Sequence, residues 1–269
     1  MPRAGLRLAL AGLFALILVT AAGAAYLAFQ KPDYRRLNVV QRYLVAGILL
    51  KWFKAIDALP KDQRVLVDYN RLMSMLNFAE RSLAEQIFAV DPQDLGFKGP
   101  FQSREKPANL VRVEPQKYRL RGEWQTTGVQ HCPAHAYQDY LNLMAAMRRD
   151  LGKTLLIESA YRSPGRQAFG FLLYLVKTHD YSLEKTARLN ALPGYSEHNH
   201  PGTTAIDFIN EDGINGDEPG QRAADFENLP EYQWLRQHAH KFNFHLSYPR
   251  DNALGITFEP WHWHWEKAP

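Results

Sequence analysis

Residues Leu8–Phe29, LALAGLFALILVTAAGAAYLAF, run for 22 positions without a charge. No water-soluble core needs such a stretch, and about 20 apolar residues are enough to cross a bilayer as a helix. Arg3 and Arg7 precede it, the pattern of a segment whose start stays inside while the rest of the chain is exported. The small residues of TAAGAA, Thr20–Ala25, also suit a signal peptidase. A cleaved signal peptide and an uncleaved signal anchor are therefore both open. The run exceeds the usual apolar core of a signal peptide, about 7–15 residues, and this favours the anchor. Residues 1–30 are read as this segment. The rest is expected to face the periplasm or cell exterior from a single-pass membrane anchor, or to be secreted after cleavage.

The net charge of +4 belongs to that flank. Arg3, Arg7, Lys31, Arg35 and Arg36 face only Asp33, which leaves 27 of the 32 basic residues against 27 of the 28 acidic ones elsewhere. The basic bias concerns membrane topology, and no nucleic-acid partner is expected. Cys132 is the one cysteine, so no intrachain disulfide can form. Stability must come from a core, which 269 residues at 46% hydrophobic can supply.

Residues 31–109 read as a helical N-terminal region. VVQRYLVAGILLKWFKAI and LMSMLNFAERSLAEQIF carry apolar residues at helical spacing, with Pro60 between them. A Gly/Pro-punctuated loop, VDPQDLGFKGPFQ, marks a boundary. In residues 110–269 helices and strands mix. Pro133 opens a helix through Arg149 with Gly152 past its end, and Ser163-Pro164 caps another running to about Lys177. SLEKTARLNAL is a further helix, and Pro230 opens one more. Thr154–Ala160, TTAIDF, FNFHLSY and ITFEPWHWHW read as strands. NEDGINGDEPGQ reads as a solvated loop. Without a strict alternating repeat, the class is α+β: a small antiparallel or mixed sheet with flanking helices.

Three motifs carry chemistry. In an extended final strand His262 and His264 share one face, and Trp261, Trp263 and Trp265 the other. The tryptophans then pack on the core and the histidines look outward. Glu259 precedes His262 by three residues, a spacing at which a carboxylate can serve as general base beside a metal ligand. A packed aromatic strand explains the same residues. In PGYSEHNHPGTTAIDF, His198, His200 and Asp207 are of the types that hold zinc, and three protein ligands leave an open position; a polar turn is the alternative. In ESAYRSPGRQ, Arg162 stands between a strand end and a helix start, where a guanidinium can bind a carboxylate or stabilise an oxyanion. A surface arginine beside a cap fits equally.

Together these motifs, over roughly residues 110–269, resemble the VanY-type D-alanyl-D-alanine carboxypeptidases. These belong to the wider zinc peptidase group with the D-Ala-D-Ala dipeptidases and Hedgehog-like folds. The resemblance rests on Y-R-S-x-x-x-Q in YRSPGRQ, on S-x-H followed by A-x-D, and on EPWHW. It implies zinc held by His198, Asp207 and His262, with Glu259 as general base and Arg162 as the transition-state arginine. Ser163, Gln167 and Ser196 fall where the group lines its substrate site. His198 lies nine positions before Asp207, whereas the usual spacing is seven, which His200 satisfies. The Ser-x-His context favours His198 with a two-residue insertion; His200 is the alternative. His264 stands where the group often has Arg, and is expected to add a hydrogen bond or to sit at the rim.

The implied activity is zinc-dependent hydrolysis of the terminal D-Ala of peptidoglycan stem peptides. A peptidoglycan endopeptidase, an L,D-carboxypeptidase of the same zinc group, and an inactive cell-wall-binding relative are the alternatives. Two S-x-x-K matches, at Ser103 and Ser182, lack the companion motifs of a serine peptidase. His131, Cys132 and His135 in HCPAH suggest a thiolate nucleophile, or an ordinary buried cysteine.

Overall fold

The computed structural model describes residues 22–267. Most of the Leu8–Phe29 run lies outside them, and no helix among the described residues is long and apolar enough to cross a membrane. Residues 22–29 are helical. Asn38 then starts the first long helix, α1 (Val39–Asp57), by a reciprocal cap in which its side chain accepts from Gln41 N while Gln41 accepts from Asn38 N. Such caps contribute about 1 kcal/mol each. The chain breaks at Pro60, passes a 3₁₀ turn (Lys61–Leu66), and forms α2 (Tyr69–Ser74) and α3 (Phe78–Phe88), capped by Asp68 and Asn77. Here the helical reading of this region holds.

Two short antiparallel pairs follow: β1 (Leu110–Val113) with β4 (Gln130–Pro133), and β2 (Lys117–Leu120) with β3 (Glu123–Thr126). The second is a hairpin turned by Arg121 and Gly122, both at positive φ (53° and 88°), as a tight two-residue turn demands. α4 (Ala134–Leu151) ends at Gly152 in the left-handed conformation. β5 (Leu155–Ser159), α5 (Pro164–Lys177), α6 (Leu183–Ala187), β6 (Ala205–Asn210), α7 (Ala223–Glu227), α8 (Pro230–His238), β7 (Phe244–Leu246) and β8 (His262–Trp265) complete the chain. The main sheet has the order β5-β6-β8-β7, antiparallel throughout.

Two cores flank this arrangement. One joins Val45, Ile48 and Trp52 of α1 and Leu83, Ile87 and Phe88 of α3 to Phe171, Leu172 and Leu175 of α5, so it draws on both sides of residue 110. The other packs Tyr140, Leu143 and Met147 of α4 and Leu235 of α8 under Ile157, Ile206, Phe208, Phe244 and Trp263 of the sheet.

Three sequence expectations need correction. The final strand spans only His262–Trp265; Glu259 to His262 is a turn closed by His262 N donating to Glu259 O at 3.1 Å. Pro260 has no amide to give a ladder, which is why the strand cannot extend back through it. The helix expected over SLEKTARLNAL stops after Ala187. The polar loop after β6 is tied inward: Asn215 is 1% exposed, and its Nδ2 donates to both carboxylate oxygens of Glu158 at 2.7 Å.

Candidate active site

Opposite residues of an antiparallel pair share a face. Asp207 of β6 pairs directly with His262 of β8, so their side chains meet above the sheet. Asp207 also faces Ser159 on β5, where the register shifts. The third group comes from the 3₁₀ turn Glu197–Asn199. Arg162 N donates to His198 O at 3.0 Å, and Asn199 Nδ2 donates to Arg162 O at 2.5 Å. These two bonds lock the His198 turn to the segment that follows β5.

His198, Asp207 and His262 converge, with one ligand atom from each lying within 4.8 Å of the others. His198 Nδ1–H is spent on Ala160 O at 2.7 Å, which leaves Nε2 as a bare lone pair. That nitrogen is buried and has no hydrogen-bond partner, although it stands 3.0 Å from Asp207 Oδ2. Two imidazoles and a carboxylate so placed fit a zinc ion with a fourth position open, and a cation would satisfy the orphaned nitrogen. His200 is not in this cluster. Its Nδ1 accepts from Gly202 N at 2.9 Å and Thr203 N at 2.7 Å, so it stabilises the extra turn that lengthens the spacing to Asp207.

Glu259 reaches the cluster through the turn. In a continuous strand, residues three apart point to opposite faces. The Glu259–His262 turn instead brings the Glu259 carboxylate to 3.9 Å from His262 Nδ1. Burial raises its pKa to about 7, against the opposing pull of His262. Arg162 Nη2 stands 3.9 Å from Asp207 Oδ2, and its buried Nε has no hydrogen-bond partner. Ser163 and Gln167 direct their polar atoms at the backbone. Ser163 Oγ donates to Val67 O at 2.7 Å and caps α5, and Gln167 Nε2 donates to Ala191 O at 2.7 Å. Ser196 is buried just before the His198 turn.

The sequence reading missed Glu197. His262 Nδ1–H donates to Asp207 Oδ1 at 2.8 Å and Nε2–H to Glu197 Oε2 at 3.0 Å. Burial disfavours a charged His262, but Asp207 and Glu197 outweigh it and raise its pKa to about 10. Burial likewise opposes the Glu197 carboxylate, yet His262 and His264 hold it down at about 2. Asp207 is held well below its ordinary value, as His198 and His262 overcome its burial. Burial and the Arg162 charge lower His198 to about 4. Ser247 Oγ lies 2.5 Å from Glu197 Oε2 and 2.8 Å from His264 Nδ1, so His264 does add a hydrogen bond beside the site. Tyr248 stacks on His262 with ring centres 4.7 Å apart. The carboxylate next to His198 in SEH was the one available signal for Glu197; nothing marked Ser247 or Tyr248.

The other candidates lie elsewhere. Cys132 is fully buried, and burial pushes its thiol up to about 12, the opposite of an activated nucleophile. His135 Nε2 meets Gly202 O at 3.1 Å. Ser182 caps α6 by accepting from Lys185 N at 3.2 Å.

Asp207 and His262 on the antiparallel sheet, His198 from the adjoining turn and the partly buried Glu259 beside them make up the candidate site. Residues 130–268 match the family model VanY, D-alanyl-D-alanine carboxypeptidase. The chain belongs to that family. A D-alanyl-D-alanine carboxypeptidase of Enterococcus faecium is 32% identical over 109 residues, which is 40% of this chain and 28% of that protein. The chain thus matches little more than a quarter of that relative's length. Among solved structures, the LdcB LD-carboxypeptidase aligns with TM-score 0.46 at 21% identity, over 65% of this chain and 77% of that one. A variant of the vancomycin resistance D,D-pentapeptidase VanY in complex with Zn(II) aligns with TM-score 0.40 at 24% identity, over 57% of this chain and 78% of that one.

Proposed function

We propose that this protein is a zinc-dependent D-alanyl-D-alanine carboxypeptidase that removes the terminal D-Ala from peptidoglycan stem peptides, working outside the membrane to which Leu8–Phe29 anchors it. The observation that carries the reading is the convergence of His198, Asp207 and His262 with Glu259 beside them. In it His198 Nε2, Asp207 and His262 Nδ1 are the ligands. When bound, zinc supplies a Lewis acid that polarises the scissile carbonyl and acidifies water.

Glu259, poised near pH 7, accepts the proton of the attacking water. As the new C–O bond forms and the C–N bond breaks, it returns that proton to the leaving amine. The Arg162 guanidinium, with its unpartnered Nε, stabilises the oxyanion. Glu197 holds Nε2–H of His262 and thereby turns Nδ1 toward the metal.

Defined muropeptides incubated with the zinc-loaded protein and weighed by mass spectrometry test the reaction. Loss of one alanine from a pentapeptide is expected. Cleavage of cross-links, or of a tetrapeptide but not a pentapeptide, would replace this reading with the endopeptidase or L,D-carboxypeptidase one. The role of Glu197 has its own test. Glu197→Ala is expected to weaken zinc binding by about 10–100-fold, and Glu197→Gln, whose carbonyl still accepts Nε2–H, by less. Chelator competition reads both, and equal affinities for Glu197→Ala and wild type would remove Glu197 from the mechanism.

A further inference from the structure

Helix α1 is apolar on two opposite faces. Val45, Ile48, Trp52 and Ile56 lie on one side and are buried. With 3.6 residues per turn, Val39, Tyr43, Ala46, Leu50 and Phe53 fall within an arc of about 80° on the other side. There the large side chains are open to solvent: Val39 57%, Tyr43 77%, Leu50 59% and Phe53 58%. The stripe is about 21 Å long at 1.5 Å per residue. Phe78, at the start of α3, is also exposed, and its ring meets that of Phe29 at 5.6 Å. Tyr26 is exposed beside them in sequence. The outward face of a surface helix is normally polar, and an apolar patch of this extent marks an interaction site.

Continuity and charge identify what covers it. Tyr26 and Phe29 are the last residues of the uncharged run, and the segment that carries them is bonded to α1. Asn38 Nδ2 donates to Leu27 O at 2.8 Å, and Gln41 Nε2 to Gln30 O at 2.7 Å. A run embedded in lipid therefore delivers the stripe to the bilayer surface. Residues 31–54 hold Lys31, Arg35, Arg36, Arg42, Lys51 and Lys54 against Asp33 alone. Arg42 and Lys54 fall about 60° to either side of the stripe's midline. An apolar face with basic flanks is what an interfacial helix presents to anionic headgroups.

We infer that the outer face of α1, with Tyr26, Phe29 and Phe78, lies in the headgroup layer of an anionic membrane, so that the catalytic region is seated on the bilayer. The inference rests on reading Leu8–Phe29 as an anchor, and one experiment separates the two. The full chain, with Cys132→Ser, is reconstituted into vesicles of phosphatidylethanolamine and phosphatidylglycerol. Leu18→Cys, Phe53→Cys and Trp124→Cys each carry an environment-sensitive fluorophore, and lipids spin-labelled near the headgroup or in the acyl chain serve as quenchers. Trp124, exposed on β3, is the control. Lipid quenching at 18 and 53 but not at 124 is the expected result. Quenching at 18 with position 53 behaving like 124 overturns the docking and leaves the anchor. No quenching at 18 or 53 overturns both. Quenching at 53 without 18 upholds the docking and removes the anchor. If 53 escapes lipid quenchers but shows energy transfer between differently labelled copies, the stripe is a self-association surface and the inference is wrong.

Discussion

Glu259→Gln is expected to keep its metal and its fold while losing about 10²–10⁴-fold in activity, the usual effect of removing a general acid–base group. The substitution preserves size and the turn, because the bonds that shape it are backbone ones: Glu259 N donates to Tyr248 O at 3.2 Å and His262 N to Glu259 O at 3.1 Å. It removes only the proton acceptor 3.9 Å from His262 Nδ1. Metal content and turnover on a pentapeptide, measured on one preparation, decide the matter. Near-normal turnover would leave the site without its base, and the aromatic strand would then be packing alone.

His262→Ala should lose metal and activity together, and Asp207→Ala likewise. The cluster also makes metal uptake a proton exchange. Without metal, His262 carries protons on both nitrogens, shared with Asp207 and Glu197, and its pKa is raised to about 10. A metal on Nδ1 must displace one of them. Since the proton is bound below that pKa and must leave, the apparent affinity rises with pH, by about tenfold per unit between pH 6.5 and 8.5. Competition with a chelator of known pH dependence at three pH values measures the slope. A flat profile would show that no proton leaves the site and that the electrostatic account of His262 fails.

Much of the frame could be read directly from residues. Pro133, Gly152, Ser163-Pro164 and Pro230 marked helix ends because each acts through its own backbone or its nearest neighbours. The faces of the last strand followed from alternation, and Trp263 is indeed buried while His262 looks into the cluster. The placement of Glu259 was not legible, because strand alternation puts it on the wrong side and only the turn at Pro260 corrects this. Glu197 was hidden for another reason. Its partners, His262 and Ser247, lie 65 and 50 residues away, and only the pairing of β6, β8 and β7 brings them together. The choice between His198 and His200 turned on which side chain the backbone of the loop claims, and Gly202 and Thr203 claim His200. The β2–β3 hairpin was overlooked because an Arg-Gly turn is a weaker signal than Asn-Gly.

The core shared by α1, α3 and α5 has a consequence for where this chain can be cut. Phe171, Leu172 and Leu175 of α5 are fully buried in the same core as Trp52 and Ile87. α5 begins at Pro164 with Ser163, the residue after Arg162, as its cap; Ser163 Oγ donates to Val67 O at 2.7 Å and Ser163 N to Val65 O at 2.9 Å. An expression fragment beginning at residue 110 would strip α5 of this cover and set three large side chains in water, close in sequence to Arg162, the proposed oxyanion group. A protease that nicked the link after Pro60 would act on that arginine's support without approaching the cluster of His198, Asp207 and His262. The shortest fragment that retains the cover begins near residue 31, so the N-terminal helices brace the segment that carries Arg162.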